Sequence, residues 1–226
     1  MQIQDQVTQG TIGQMRMKFW HDCLESVYDN HPPAQPIAIQ LQKAVVHHKL
    51  TKQWLKRLVV SREENLNIKS FTSLSSAEDY AEHSVSSVLY LTLECLGVRS
   101  VHADHAASHL GRAQGIVTLI RAIPFHSQRN RVMVPIELLI KHKVSQNDLL
   151  KGVSDTRVKD LIFDLASTCN IHLEKVCKIL FLDFLHLYKY CYYFLFNRRK
   201  ISCLKCRMRP KLHFFQQLVL FLIWTD

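Results

Sequence analysis

The chain has 226 residues, of which 47% are hydrophobic, a length and composition that fit one domain with a substantial core rather than two. Its net charge of +10 is concentrated at one end: residues 176–226 carry nine Lys or Arg against two Asp, and the preceding residues carry twenty against seventeen Asp or Glu. Because that body is nearly balanced and no groove-entering motif occurs, the composition argues against a nucleic-acid partner.

Six glycines and six prolines favour long helices, and seven cysteines without an even-spaced framework indicate a reducing compartment. The opening residues lack the basic start and apolar run of a secretory signal. They also lack the arginines of a mitochondrial transit peptide, since the first is Arg16. These features leave a cytosolic location open for this form of the chain.

Three amphipathic helices are predicted first, at residues 14–28, 36–48 and 51–62. The prolines after His31 end the first helix, and Thr51 is the expected N-cap of the third. Glu63 and Glu64 are interpreted as a solvated helix end. We expect these helices to bury the following side chains: Met17, Trp20, Leu24, Val27, Ile37, Leu41, Ala44, Val45, Trp54, Leu55, Leu58 and Val59.

A fourth helix is predicted to begin with Ser75 or Ser76 as its cap and to run to Gly97, with Tyr80 near its start. The fifth begins near Ala103, with small residues on its apolar face, and is predicted to give way to a basic loop before Pro135. Later helices begin after Ser145, with Asp148 completing the cap, and span residues 157–175.

Four residues with metal-binding side chains cluster at the start of the fifth helix: His102, Asp104, His105 and His109. His105 and His109 share a helix face, as zinc ligands do, but there is no HisGluxxHis motif and no further ligand nearby. Structural or solvent-facing histidines are the favoured interpretation. Cys203 and Cys206 have the spacing of half a zinc knuckle, which is a weak signal without a second pair.

The order of residues 110–135 resembles the second active-site segment of the squalene and phytoene synthases. LeuGly is followed by an apolar run, Arg121, an ArgxArg pair ending at Arg131, and ValxValPro. The resemblance extends over residues 11–175 and implies an all-α, isoprenoid-synthase-like helical fold that is incomplete at both ends. It divides the chain into a partial synthase-like domain, residues 1–175, and a divergent basic, aromatic-rich tail, residues 176–226.

In that family, carboxylates after the Arg hold the Mg²⁺ ions that bind a substrate diphosphate. Here Ala122 stands at the first acidic position, and Phe125 and His126 stand at the acidic pair. The family's other acidic motif would lie before Met1. We therefore expect no metal, no cofactor and no catalytic residues, and we interpret Tyr80, Arg121 and Arg131 as a non-catalytic remnant of the ligand pocket.

Segments such as residues 11–20 and 102–118 resemble a catalytically silent branch of the family. That resemblance implies a helper in building the membrane-peripheral arm of respiratory complex I, on the matrix side of the mitochondrial inner membrane, with complex I subunits or other assembly factors as partners. The alternative is an active or lipid-binding prenyltransferase-like protein that handles isoprenoid diphosphates.

The tail has two interpretations. Asp183, His186 and Lys189 interrupt its apolar run, so a membrane span is not expected. The basic residues 198–200 and the aromatic end suit a peripheral membrane contact. The favoured interpretation is an alternative C-terminus, as an alternative reading of the transcript would produce, without a selected pattern.

Overall fold

The computed structural model describes residues 10–66, 68, 70–153 and 155–182. Within these ranges the chain is helical and has no β-strand, which confirms the predicted all-α class. The elements, in chain order, are α1 Gly10–Tyr28, α2 Pro36–His48, α3 Lys52–Glu64, α4 Leu74–Ala81, a π-helical segment Glu82–Ser86, α5 Ser87–Cys95, α6 Val101–Ser127, α7 Ile136–Lys141, α8 Gln146–Leu150 and α9 Thr156–Leu182.

The described residues form two apolar clusters. The smaller cluster joins α1 to α2 and contains Cys23, Val27, Ala38, Val45 and Leu50. The larger one lies between α6, α7, α8 and α9, where Leu161 and Leu165 of α9 are fully buried. Burial of apolar surface at these positions is the main force that holds the helices together. The compact unit that contains them ends at Ile179.

Several expectations about burial were wrong. Trp20, Leu41 and Ala44 are only half-buried. Ile37 is 59% exposed, because α2 packs against α1 through Ala38 and Val45 and so turns Ile37 outward. Helix α3 presents four apolar side chains that are only half-buried rather than buried: Trp54, Leu55, Leu58 and Val59. Neither residue type nor helical spacing reveals how completely a neighbouring element covers a face.

Among the helix starts whose caps the structure describes, α4 and α8 have a full capping box, but only one of the two was placed correctly. At α8, the Ser145 hydroxyl accepts from the Asp148 N–H and the Asp148 carboxylate accepts from the Ser145 N–H, as predicted. At α4, the cap is Ser73, whose hydroxyl accepts from the N–H of Ser76 at 3.1 Å, so the choice of Ser75 or Ser76 was wrong.

Helix α6 extends further than the sequence suggests. It continues through Pro124 to Ser127, where a loop was expected to have begun. A proline inside a helix removes one N–H donor and crowds the preceding turn, but its fixed φ is helical, so packing on both sides can carry the helix past it. Consequently Ala122, Phe125 and His126 lie on the last turns of one helix.

Two glycines let α6 approach the preceding helices very closely. A Cβ at Gly115 would lie 2.2 Å from the Cβ of Ala81, and one at Gly111 would lie 2.2 Å from the Oγ of Ser86 and 2.6 Å from its backbone N. Real Cβ atoms do not approach other atoms so closely, so this contact requires glycine at both positions.

Within the described residues, no helix has both the length and the apolar character required to cross a membrane. Residues 176–182 of the predicted tail continue helix α9. The other predictions for the tail, including Cys203 and Cys206, fall beyond residue 182 and so lie outside the described residues.

Candidate functional site

A cavity of about 290 Å³ lies between α6 and the helices that precede it. One face of α6 forms its floor, with Gly115, Leu119, Ala122 and His126 at spacings of three and four. Most of the lining is apolar. The remaining walls come from the end of α3 and the residues after it, from α4, from the π-helical segment, from the loop before α7 and from α9: Arg62, Asn65, Leu66, Phe71, Leu74, Ala77, Tyr80, Ala81, Ser84, Val85, Met133 and Leu165.

The three positions that the sequence resemblance aligns with acidic residues of the synthases do not all face this cavity. Ala122 and His126 line it, four residues apart on the helix. Phe125 is 40% exposed on a different face, where the guanidinium of Arg129 lies 3.6 Å from the centre of its ring.

His126 also lies in the last turn of α6. Its side chain is buried, and its backbone carbonyl accepts hydrogen bonds from the N–H groups of Arg129 and Arg131, both at 2.9 Å. These bonds satisfy a carbonyl that would otherwise be left open at the helix C-terminus.

The three residues interpreted as a remnant of the ligand pocket do not lie together in the structure. Tyr80 lines the cavity, with its ring centre 5.7 Å from that of Phe71. Arg121 is exposed and is not part of the lining, and Arg131 lines a smaller recess on the far side of His126. The arginine that lines the main cavity is Arg62 of α3, which the sequence reasoning missed.

The residues around the cavity do not fit a magnesium ion. Mg²⁺ requires oxygen ligands, usually carboxylates, and none of the described residues that line the cavity is Asp or Glu. Among the described residues, no group of three or more His, Cys, Asp or Glu side chains has the arrangement of a metal site. The chemistry available in the cavity is therefore apolar contact, hydrogen bonding and one guanidinium.

Behind the cavity wall, the carboxylate of Glu82, whose side chain is 13% exposed, joins the π-helical segment to α5 and α6. Glu82 accepts hydrogen bonds from Tyr90 at 2.6 Å, Ser108 at 2.8 Å, Ser86 at 2.9 Å and the Nε of Arg112 at 3.2 Å. Burial raises the pKa of Glu82, but these four donors outweigh it and leave the pKa below its usual range. Glu82 is thus an ionised structural group.

Among the described residues, the histidines at the start of α6 do not form the cluster of side chains that a zinc site requires. Instead, the Nδ1 of His109 lies 3.0 Å from the Nδ1 of His172 on α9, whose Nε2 lies 3.0 Å from the Oε1 of Glu78. His172 is 5% exposed. This chain of contacts fastens α9 to α4 and α6.

Sequence reasoning missed both polar clusters. A signal for the first was present, since Glu82, Ser86 and Tyr90 are spaced by four, as are Ser108 and Arg112. The second cluster had no local signal, because His172 and Glu78 are 94 residues apart.

Comparison with known proteins shows which proteins share this architecture. The family model for squalene/phytoene synthase matches residues 1–193. A squalene synthase, HpnC from Alicyclobacillus acidocaldarius, superposes with a TM-score of 0.67 at 14% identity, covering 74% of this chain and 63% of that one. A dehydrosqualene synthase superposes with a TM-score of 0.64 at 15% identity, covering 91% and 76%. These two likenesses concern the fold.

Curated relatives are much closer in sequence. The human protein named NADH dehydrogenase (ubiquinone) complex I, assembly factor 6, is 50% identical over 173 residues, which are 76% of this chain and 52% of that protein. The Drosophila melanogaster homologue is 43% identical over 169 residues, covering 72% and 50%. This chain thus spans about half the length of the curated relatives it matches. By its matched residues and its helical architecture, the chain belongs to the squalene/phytoene synthase family.

Proposed function

We propose that this chain is a non-catalytic assembly factor for mitochondrial respiratory complex I, acting early in building the membrane-peripheral arm. The observation that carries the proposal is the 50% identity, over 173 residues, to proteins named for that role. Its place of action would be the matrix side of the inner membrane. Its partners would be complex I subunits or other assembly factors.

The cavity supports a role without catalysis. Releasing diphosphate from a prenyl substrate requires cations that neutralise the leaving group, and carboxylates must hold those cations. Ala122 and His126 occupy the cavity face of α6 where such ligands would be useful, and no carboxylate lines the cavity among the described residues. We therefore infer that the chain is a pseudoenzyme of its family.

Assembly activity can be tested in cells that lack the homologous assembly factor. The chain, fused to a mitochondrial targeting sequence, should restore assembled complex I on native gels and should co-isolate with peripheral-arm subunits. Gly115→Ala, which removes the close contact with Ala81, is the matched loss-of-fold control. Normal accumulation of the parent chain in mitochondria, with neither assembly nor co-isolation, would overturn the proposal.

Catalysis is tested separately by incubating the purified chain with farnesyl diphosphate and Mg²⁺. Diphosphate release should not exceed that of a control with chelator. Release that depends on Mg²⁺ and gives a joined prenyl product would instead establish the enzyme.

A second candidate function is ligand binding without chemistry, and the shape of the cavity favours it. The cavity volume of about 290 Å³ lies at the lower end of small-molecule sites, and the lining is mostly apolar with Arg62 as its cation. These features suit one prenyl or acyl chain with an anionic head. Calorimetry with farnesyl diphosphate in chelator should show binding, which Ala122→Trp should abolish. Ala166→Trp, on an exposed position of α9, should leave it intact.

A further inference from the structure

The sequence between Asp29 and Glu63 contains no acidic residue. Residues 30–62 carry six Lys or Arg, and this stretch forms α2, most of α3 and the turns beside them. The structure places three of the six against partners: Lys52 pairs with Glu25, the guanidinium of Arg57 lies 4.8 Å from the centre of the Trp54 ring, and Arg62 donates to the carbonyl of Leu58 at 2.9 Å. The lysines of α2 and its C-terminal turn, Lys43 and Lys49, are left for an outside partner.

Helix α2 buries only one side. Ala38 and Val45 pack against α1, at 0% and 8% exposure. The opposite side, which we call the outer face of α2, presents Ile39, Lys43, Val46 and His47 at helical spacings of three and four.

The outer face of α2 combines exposed aliphatic side chains with lysines that form no ion pair with any described residue. Val46 is 60% exposed and Ile39 is 38% exposed, on either side of Lys43. Among the acidic residues that the structure describes, none forms an ion pair with Lys43 or with Lys49, which ends the helix in a left-handed conformation. Lysine stems can lie along an apolar surface while their ammonium groups reach outward.

This combination discriminates between anionic partners. An acidic protein surface would satisfy the lysines but would gain little from exposed Ile and Val side chains among them. A bilayer with anionic lipids satisfies both, because aliphatic side chains enter the boundary of the acyl region while lysines meet phosphates. We propose that the outer face of α2 is the site at which this chain lies on an anionic membrane surface. This inference is independent of complex I assembly.

Vesicle flotation with the full chain tests the site. The chain should bind phosphatidylcholine vesicles that contain phosphatidylglycerol and should bind pure phosphatidylcholine far less. Lys43→Gln with Lys49→Gln should weaken binding about thirtyfold, since each lysine at an anionic surface contributes about a factor of five. Ile39→Gln with Val46→Gln should also weaken it by about tenfold or more, because the aliphatic groups no longer enter the bilayer.

Two control variants separate the outer face of α2 from positive charge elsewhere. Lys151→Gln with Lys159→Gln removes the same charge from exposed positions near α8 and α9 and should change binding less than about threefold. The second control variant replaces the basic residues 198–200 by Gln. If that variant loses binding while the α2 lysine variant keeps it, the tail is the membrane contact and the proposal is overturned.

An acidic protein partner is the remaining possibility. Polyglutamate in solution offers charge without an apolar phase. If the chain binds polyglutamate as tightly as vesicles, and if the Ile39 and Val46 substitutions change neither, the outer face of α2 recognises acidic polypeptides and the membrane proposal fails.

Discussion

The Nδ1 atoms of His109 on α6 and His172 on α9 face each other at 3.0 Å. One of the two nitrogens must be unprotonated for a hydrogen bond to form, so the pair cannot hold both rings as imidazolium. The second nitrogen of His172 contacts Glu78. The protonation of these two imidazoles therefore affects the contact that holds α9 against α4 and α6.

This pair predicts an acid-sensitive fold. Burial lowers the pKa of His109, the charges of His172, Lys175 and Arg112 lower it further, and Glu82 partly opposes them. Because the folded pKa is the lower one, the unfolded chain binds the proton first. The stability from this group is complete above about pH 6.5 and is lost as the pH falls below that value.

Urea unfolding between about pH 8 and pH 5 measures the effect. His109→Gln should flatten the loss of stability on acidification relative to the parent protein. His47→Gln, which alters an exposed ring on α2, is the matched control and should follow the parent. An unchanged slope in His109→Gln would contradict this prediction.

Glu82→Gln should destabilise the fold by about 3 kcal/mol, because it leaves the charge of Arg112 without its buried partner and disrupts bonds from Tyr90 and two serines. Chemical denaturation would measure it. Glu25→Gln makes the same change at an exposed ion pair with Lys52 and should have little effect. Similar losses of stability in both variants would show that the hydrogen bonds of Glu82 contribute no more to stability than the exposed ion pair.

Gly115→Ala should destabilise by at least about 2 kcal/mol, although alanine is the better helix former by about 1 kcal/mol. The reason is that the new methyl group would lie 2.2 Å from the Cβ of Ala81, so α4 and α6 must move apart. Thermal unfolding followed by circular dichroism is the measurement. His105→Ala, at an exposed position on the same helix, should retain the parent stability. A stabilised Gly115→Ala variant would disprove the close approach.

Ser73→Ala should cost about 1 kcal/mol, because it removes the hydroxyl that accepts from the N–H of Ser76 at the start of α4. Ser75→Ala, two residues further and exposed, should be nearly neutral. Denaturation midpoints of the two variants would distinguish the caps, and the reverse order would place the helix start where the sequence first suggested.

Local signals predicted much of the fold. Proline after His31 and at the start of α2, and the Ser145 capping box, gave helix limits close to those observed. The π-helical segment was missed because the amino-acid composition of residues 82–86 does not mark an inserted residue. The passage of α6 through Pro124 was missed because packing, rather than local preference, carries the helix past a proline.

The candidate site was predictable only in part. Family resemblance pointed to Ala122 and His126, and both line the cavity, but it could not show that Phe125 turns away. Arg62 reaches the cavity from a helix that carried no motif, and His172 contacts Glu78 although the two lie 94 residues apart in sequence. Such pairings depend on how helices cross, which short stretches of sequence do not encode.

The π-helical segment determines how the helix that follows it is rotated about its own axis. One added residue rotates the downstream helix by about 100° relative to an uninterrupted one. Removing a residue from Glu82–Ser86 would therefore swing Tyr90 out of reach of Glu82 while leaving Tyr80 where it is. The tyrosine at the cavity wall and the tyrosine behind it are thus oriented independently, but Ser84 and Val85 of the same segment line the cavity, so an insertion or deletion there would change both the carboxylate's partners and the cavity wall.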